Sequence, residues 1–345
     1  MSAENGATQT ISTDDRRWLD FVGSRPDARP YHHPAWARTI SETYGFDPFA
    51  LVLSAADGSL SAGIPFVPVG GRLRGKRWVA LPFTDALEPL SANETGPAEL
   101  APLVESAGRE AGVSSIEIRG SLSAPAAHET MRGVEHTLAL TDPDTLFAGF
   151  QSQVRRNIRK AEKSGLTIRT ADDPRDLTHG YFKLHAETRR RLGVPTQPRR
   201  LFEELSKHMI EPGLGFVLLA CHEGRPVAGA VFLEWNGRVV YKFGASAQRF
   251  WSLRPNNLIF WEAIRRSCER GVRELDFGRT DLEDKGLRAF KSSWGAVEQP
   301  LVYTTFGRPS EGEGQTTERL LRPVLRRAPI WFGRSVGVIL YRFAA

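Results

Sequence analysis

The sequence predicts an α/β layer fold, with helices packed on a mixed, mostly antiparallel sheet, built twice along 345 residues. Three observations carry this. Leu51–Phe66 (LVLSAADGSLSAGIPF) and Val217–Phe232 (VLLACHEGRPVAGAVF) align without a gap. Each is an apolar strand, an acidic-Gly turn (Asp57-Gly58, Glu223-Gly224) and a second strand carrying Ala-Gly, the signal of a hairpin. Ala111–Ile118 (AGVSSIEI) and Arg270–Phe277 (RGVRELDF) repeat a second pattern, a helix stopped at glycine before a short strand. The offsets of the two echoes, 166 and 159 residues, nearly agree, so both belong to one duplicated unit covering 10–135 and 140–308. The third observation is the alternation of helical and strand periodicity through the second copy.

The elements of that copy follow in order. Asp142-Pro143 supplies an N-cap and a proline at the first helical position. Leu146, Phe147, Phe150, Val154, Ile158 and Ala161 then recur at three-to-four spacing, which predicts one amphipathic helix. Further helices fit 175–192 and 198–209, a three-stranded meander 215–243, and a helix 256–270. Glu274–Phe277 reads as a strand, Leu287–Lys291 as helix and Pro300–Phe306 as a last strand. The expected organisation is a disordered segment 1–14, a first domain 15–138, a second domain 139–308 that carries the active site, and a linker with a basic apolar tail, 309–345.

Composition excludes several classes. Apolar residues are 41 % and charged residues 25 %, an ordinary globular balance. The sequence has no run of about 18 apolar residues that could span a membrane. The N-terminus MSAENGATQTISTDD has no secretory pattern, so a cytoplasmic protein is expected. Cys221 and Cys268 lack metal-ligand spacing and read as reduced core thiols. The net charge is +6, and 38 of the 46 basic residues are arginine, whose planar fork suits phosphate and carboxylate.

The stretch LDFGRTDLEDKGLRAFKSSWG, Leu275–Gly295, contains Asp-Phe-Gly. A kinase would also need a glycine-rich loop and a His-Arg-Asp catalytic loop upstream, and neither is present. Asp276-Phe277-Gly278 therefore reads as the end of a strand and a turn. The segment VRRNIRKAEKSG, Val154–Gly165, places Arg155, Arg156, Arg159, Lys160 and Lys163 on the helix face away from its apolar stripe. Like charges four apart repel unless an anion lies near, so a solvated face and a phosphate-binding face both fit. ETRRRLGVPTQPRR, Glu187–Arg200, is an arginine-rich loop between helices. In VYKFGASAQRFWSLRPNNLIFWEAI, Val240–Ile264, a strand leads through a polar loop to a helix N-terminus, which presents free N–H groups. GNAT acetyltransferases place a glycine-rich loop here to wrap the pyrophosphate of coenzyme A. This chain has Arg249-Phe-Trp-Ser-Leu-Arg254-Pro instead.

Taken together, RRNIRKAEKSG, YKFGAS, PNNLIFWEAI, GLRAFKSSWG, YHHPAW (Tyr31–Trp36) and the duplication resemble the Fem family. The resemblance covers residues 15–308 and is most specific across 150–295. It implies two tandem GNAT-like domains and an enzyme that moves an amino acid from aminoacyl-tRNA to an amine of a peptidoglycan precursor. Residues 174–210 are too few for the family's coiled-coil arm, so the chain is similar to the shorter Fem-like proteins found among exopolysaccharide and small-molecule pathway genes, and the expected acceptor is an amine of a cell-wall precursor, a polysaccharide or a small molecule. The resemblance implicates Lys291, of the Phe-Lys pair, as a catalytic residue.

Acyl transfer to an amine needs a neutral nucleophile and stabilisation of a developing oxyanion. Lys291 is expected to neutralise that charge, and Asp281 to orient or deprotonate the amine. Arg155, Arg156, Lys242, Arg279 and Arg288 are expected to hold the anionic part of a substrate, and Tyr241, Asn257 and Phe290 complete the substrate-binding set. No cofactor or metal is expected beyond aminoacyl-tRNA as co-substrate. The alternatives are a GNAT-type N-acyltransferase using acyl-coenzyme A and a non-catalytic nucleic-acid-binding protein; a DNA partner is not expected. In the tail, six arginines and no acid lie among Trp331, Phe332, Tyr341 and aliphatic residues from Arg319 on. That pattern predicts either packing on the second domain or peripheral contact, through 319–345, with the inner membrane face where a lipid-linked acceptor would lie.

Overall fold

The computed structural model describes residues 8–71, 75–308 and 321–343. The chain divides into two compact units. Unit 1 comprises residues 1–133, 300–312 and 342–345, and unit 2 comprises 134–299 and 313–341.

In unit 1 the elements are β1 (Thr8–Ser12), α1 (Arg16–Ser24), α2 (Pro34–Tyr44), β2 (Phe49–Ser54), β3 (Leu60–Gly71), β4 (Gly75–Val79), β5 (Leu90–Ser91), α3 (Gly96–Glu110) and β6 (Val113–Ile118). β7 (Ala127–Ala139) passes from unit 1 into unit 2 at Val134. β1, β2, β3 and β4 pair antiparallel in turn, and β4 pairs parallel with β6. The segment expected to be disordered contains β1, because Ile11 pairs with Ala50 and is buried beneath the helices. Residues 1–7 lie outside the described residues. YHHPAW is core: Tyr31, His32 and Trp36 are buried, His32 accepts the Arg29 N–H at Nδ1 (2.9 Å), and Trp36 Nε1 donates to Thr84 Oγ1 (2.9 Å).

Unit 2 continues with α4 (Pro143–Gly149), α5 (Ser152–Lys163), β8 (Leu166–Thr170), α6 (Phe182–Leu192), α7 (Arg199–Leu205), β9 (Gly215–His222), β10 (Arg225–Trp235), β11 (Arg238–Ser246), α8 (Pro255–Glu269), β12 (Glu274–Asp276) and α9 (Lys285–Ser292). β13 (Val297–Gly307) begins in unit 2 and ends in unit 1, and α10 (321–327) and α11 (Ile330–Phe343) close the chain. β8, β9, β10 and β11 pair antiparallel, β11 pairs parallel with β12, and β12 pairs antiparallel with β7. Each unit thus has a hairpin, a third strand, a helix, and a strand parallel to the third. β13 departs from the expected division. Its residues from Pro300 on belong to unit 1, where Thr304 pairs with Ile118 of β6.

The duplicated Ala-Gly has a physical cause in both units. A Cβ on Gly63 would lie 2.9 Å from Trp18 of α1, and one on Gly229 would lie 2.8 Å from Tyr181. A bare strand position lets an aromatic ring lie flat on the sheet in each case. The predicted helix 142–161 is broken in two. Phe150 and Gln151 are extended (ψ 149° and 145°), so α4 ends and α5 restarts. The break turns Phe150 into the core with Val154, Ile158, Ile259, Phe260 and Trp294. β9 is buried throughout from Phe216 to Cys221, which explains its unbroken apolar run: α8 covers one face, and on the other His185 and Phe202 pack with Phe243 while Tyr181 packs on both of them.

Candidate functional site

The sheet of unit 2 opens at one place. β11 pairs with β12 only over Arg238–Val240 and Glu274–Asp276, then runs on to Ser246 beside β10. On the β10 side, Val231 faces Phe243 while Phe232 faces Tyr241, which leaves Lys242 as the extra residue of a β-bulge. The bulge bends β11 where its pairing with β12 stops. The opening has an aromatic floor. Tyr241 packs on Phe260 (ring centroids 4.8 Å apart), and Phe260 packs on Phe277 (5.2 Å), Phe290 (5.8 Å) and Trp294 (5.9 Å). Burial pushes the Tyr241 hydroxyl up to about 12.

The loop after β12 is held rigidly. Gly278, with φ 72°, takes a left-handed turn, and its N–H donates to Asp276 Oδ1 (2.7 Å). Phe277 N donates to His136 O (2.9 Å), and Thr280 and Val134 exchange two backbone bonds (2.8 and 2.9 Å). Lys291, on the inner face of α9 and 3 % exposed, donates from Nζ to the carbonyls of Gly278 and Arg279. A buried ammonium therefore braces the turn from below.

Two residues that sequence reading missed lie beside it. His136 of β7 is fully buried, with its Nε2 3.2 Å from Glu298 Oε2. Burial holds its imidazole below the usual range, and the nearby Lys291 charge acts in the same direction. Glu298 is gripped by both ends of the Arg288 fork (2.8 and 2.6 Å), which lowers its carboxyl. The available signal was the alternation Val134, His136, Leu138, which puts a histidine in a core-facing row.

Lys291, Phe290, Arg288, Arg279 and Asp281 thus come together on α9 and its preceding loop, and Tyr241 reaches them through Phe260. Asp281 is 66 % exposed and is paired with Arg279 (2.8 Å). Lys242 lies on the bulge with Nζ 5.4 Å from the Phe243 ring centroid. Asn257 is buried in the first turn of α8. Arg155 is occupied elsewhere, since its Nη1 donates to Ala148 O (2.5 Å) and Phe150 O (2.6 Å) and ties off α4 at the helix break. Arg156 is exposed and bonds Gln153 Oε1 (2.8 Å). It lines an open hollow of about 510 Å³ with Arg159, Lys160 and Lys163. Arg190 and Arg191 line a second pocket of about 280 Å³ with Glu187, Ser246, Gln248 and Arg326, at the end of β11. There the segment Gln248–Leu253, without glycine, forms a 3₁₀ turn, and Trp251 stacks against Arg191 (4.5 Å).

Residues 148–291 match the family described as acetyltransferase (GNAT) domain. Over 85 residues the chain is 34 % identical to a lipid II:glycine glycyltransferase of Staphylococcus haemolyticus, covering 23 % of this chain and 20 % of that one. Over 79 residues it is 33 % identical to the enzyme of the same name from Staphylococcus aureus, covering 21 % and 19 %. It thus spans about a fifth of the length of these relatives. Among solved structures, FemX superposes with a TM-score of 0.70 at 17 % identity, over 86 % of this chain and 96 % of that one. L-PGS from Bacillus licheniformis gives 0.57 at 14 %, over 92 % and 99 %. Those two likenesses are of fold. Residues 148–291 are thus similar to a GNAT acetyltransferase domain, and the chain as a whole has a fold similar to that of FemX.

Proposed function

We propose that the protein is a Fem-like acyltransferase that moves an aminoacyl group from aminoacyl-tRNA to the amine of an acceptor. The observation that carries this reading is Lys291, a buried cation bracing the turn beside the parallel pairing of unit 2, where β11 and β12 part. In the proposed step the amine nitrogen forms a bond to the ester carbonyl carbon. The bond from that carbon to the ribose oxygen breaks, and the amine proton ends on the leaving oxygen. Lys291 would oppose the negative charge that develops on the carbonyl oxygen, and Asp281 would orient the amine. No covalent intermediate is invoked. Arg190 and Arg191 at the end of β11, with Arg279, would meet the anionic part of a substrate, while Arg288 is held by Glu298 and Leu282 O.

The similarity to lipid II:glycine glycyltransferases makes lipid II the first acceptor to test, with other amine-bearing polysaccharides and small molecules after it. With charged tRNA as donor, the reaction would take place in the cytoplasm. The second reading, transfer from acyl-coenzyme A, draws support from the description of the matched family. The 3₁₀ turn Gln248–Leu253 argues against it, because side chains occupy the place where backbone N–H groups would have to approach a pyrophosphate.

The test supplies tRNA charged with labelled glycine, alanine or serine, or labelled acetyl-coenzyme A, to lipid II and to a simple amine. Transfer from tRNA alone supports the first reading. Transfer from coenzyme A alone replaces it with the second.

A further inference from the structure

The tail meets unit 2 through one face and leaves another uncovered. Tyr341 of α11 accepts Arg189 Nη2 at its hydroxyl (2.6 Å) and donates to Pro195 O (3.0 Å). Thr196 N donates to Gly333 O (3.2 Å), and a Cβ on Gly337 would lie 1.8 Å from Thr196 O. Glycines four apart thus let α11 lie directly on the 193–197 turn. Leu325 is the buried residue of α10. The packing expected as one alternative for the tail is present in this contact.

The opposite face carries a different chemistry. Trp331 is 65 % exposed, Val338 56 % and Val324 52 %. Trp331, Arg334, Ser335 and Val338 follow one helical row. Residues 321–343 hold five arginines (322, 326, 327, 334, 342) and no acid. We infer that the exposed Val324, Trp331 and Val338, with Arg322 and Arg327, dock the protein on an anionic lipid surface, whereas Arg334 stacks on Phe182 of unit 2 (5.0 Å). A tryptophan flanked by arginines and short aliphatic residues suits the interface between headgroups and acyl chains. No helix among the described residues is long and apolar enough to cross a bilayer, so the helix would lie on the membrane plane. A second copy of the chain is the poorer occupant. The face would meet its own positive charge, and three side chains offer far less than the ~800 Å² per partner of a stable interface. The inference is independent of the acyl-transfer reading, since it concerns where the protein sits.

The experiment uses the full chain and sedimented vesicles of phosphatidylcholine, with or without about a third phosphatidylglycerol. The expected result is binding to the anionic vesicles at low salt. Binding should fall at least tenfold in 0.5 M salt, where the Debye length shrinks to roughly 4 Å, and at least tenfold on neutral vesicles. Trp331→Glu and Val338→Glu should each lower binding tenfold or more. Both side chains point outward, so far-ultraviolet circular dichroism and the melting temperature should be unchanged. Wild-type protein that stays in the supernatant with anionic vesicles at low salt overturns the inference. So do variants that bind as well as wild type, or wild-type dimers that Trp331→Glu dissolves.

Discussion

Replacing Lys291 by methionine separates its two roles. The side chain keeps its length and apolar stem but loses the ammonium. Two carbonyls lose a donor, the buried Gly278 O and the half-buried Arg279 O. An unsatisfied buried acceptor costs about 1–3 kcal/mol, and the second, partly solvated one costs less. Methionine gains from shedding a buried charge, so a net loss of about 2 kcal/mol is expected. That corresponds to a melting temperature lower by about 4–8 °C for a cooperative unit the size of unit 2. The sequence suggests that alanine here would spare the fold. The burial of Lys291 makes alanine the poorer choice, since it also opens a cavity.

If Lys291 opposes charge in the transition state, kcat falls about 100-fold or more, measured 20 °C below the variant's melting point so that unfolding does not contribute. A purely structural lysine would show the melting shift with kcat nearly intact at that temperature. An independent signal comes from His136. Burial is the first cause of its lowered pKa and the Lys291 charge the second, so removing that charge should raise it, read by NMR titration of the imidazole. Wild-type turnover by a folded Lys291→Met protein whose His136 titration has not moved would refute both the catalytic assignment and the geometry behind it.

Three further outcomes are expected. Gly229→Ala should destabilise by about 1–3 kcal/mol, because its Cβ meets Leu219 at 2.7 Å and Tyr181 at 2.8 Å, and Gly63→Ala should cost a similar amount against Trp18; denaturant midpoints read both. Arg155→Ala should lower stability by about 1–3 kcal/mol and leave KM unchanged, since its guanidinium closes α4; a tenfold rise in KM with unchanged stability would return it to substrate binding. Acid should destabilise the fold through the buried His32 and His185 and the half-buried His33. Burial lowers His32 and His33 to about 4 and His185 to about 3. Above the unfolded value near 6.5 both states are neutral; below it the unfolded state binds protons first, so stability falls. At pH 5.5 each contributes a loss of about 1.4 kcal/mol relative to pH 7.5, and a flat melting temperature between those values would contradict the burial.

The fold was legible because its signals are local and repeated. Hairpin turns at Asp57-Gly58 and Glu223-Gly224, and glycine stops before Val113 and Val272, lie where the sequence puts them. The break at Phe150-Gln151 was not legible, because Phe150 keeps the helical spacing of the apolar stripe while its backbone is extended. β13 was readable as a strand but not as a member of unit 1, since pairing across 182 residues leaves no mark on spacing. At the site, α9 and its loop were legible as one stretch of sequence. His136 and Glu298 reach it from other strands, and only the register of β7 with β12 and the grip of Arg288 bring them there.

The two copies have spent the same framework differently. Each contains a parallel strand pair, β4 with β6 and β11 with β12. In unit 1 that pairing covers Lys76–Val79 with a register shift after Lys76, and the polar groups nearby are absorbed internally: His32 between Arg29 N and Glu88 O, and Trp36 on Thr84. In unit 2 it stops after three residues, a bulge bends β11 away, and the turn beyond β12 is braced by a buried cation. Buried charge and an interrupted ladder both cost stability, and a fold keeps them where something is gained. We therefore place the proposed chemistry in unit 2.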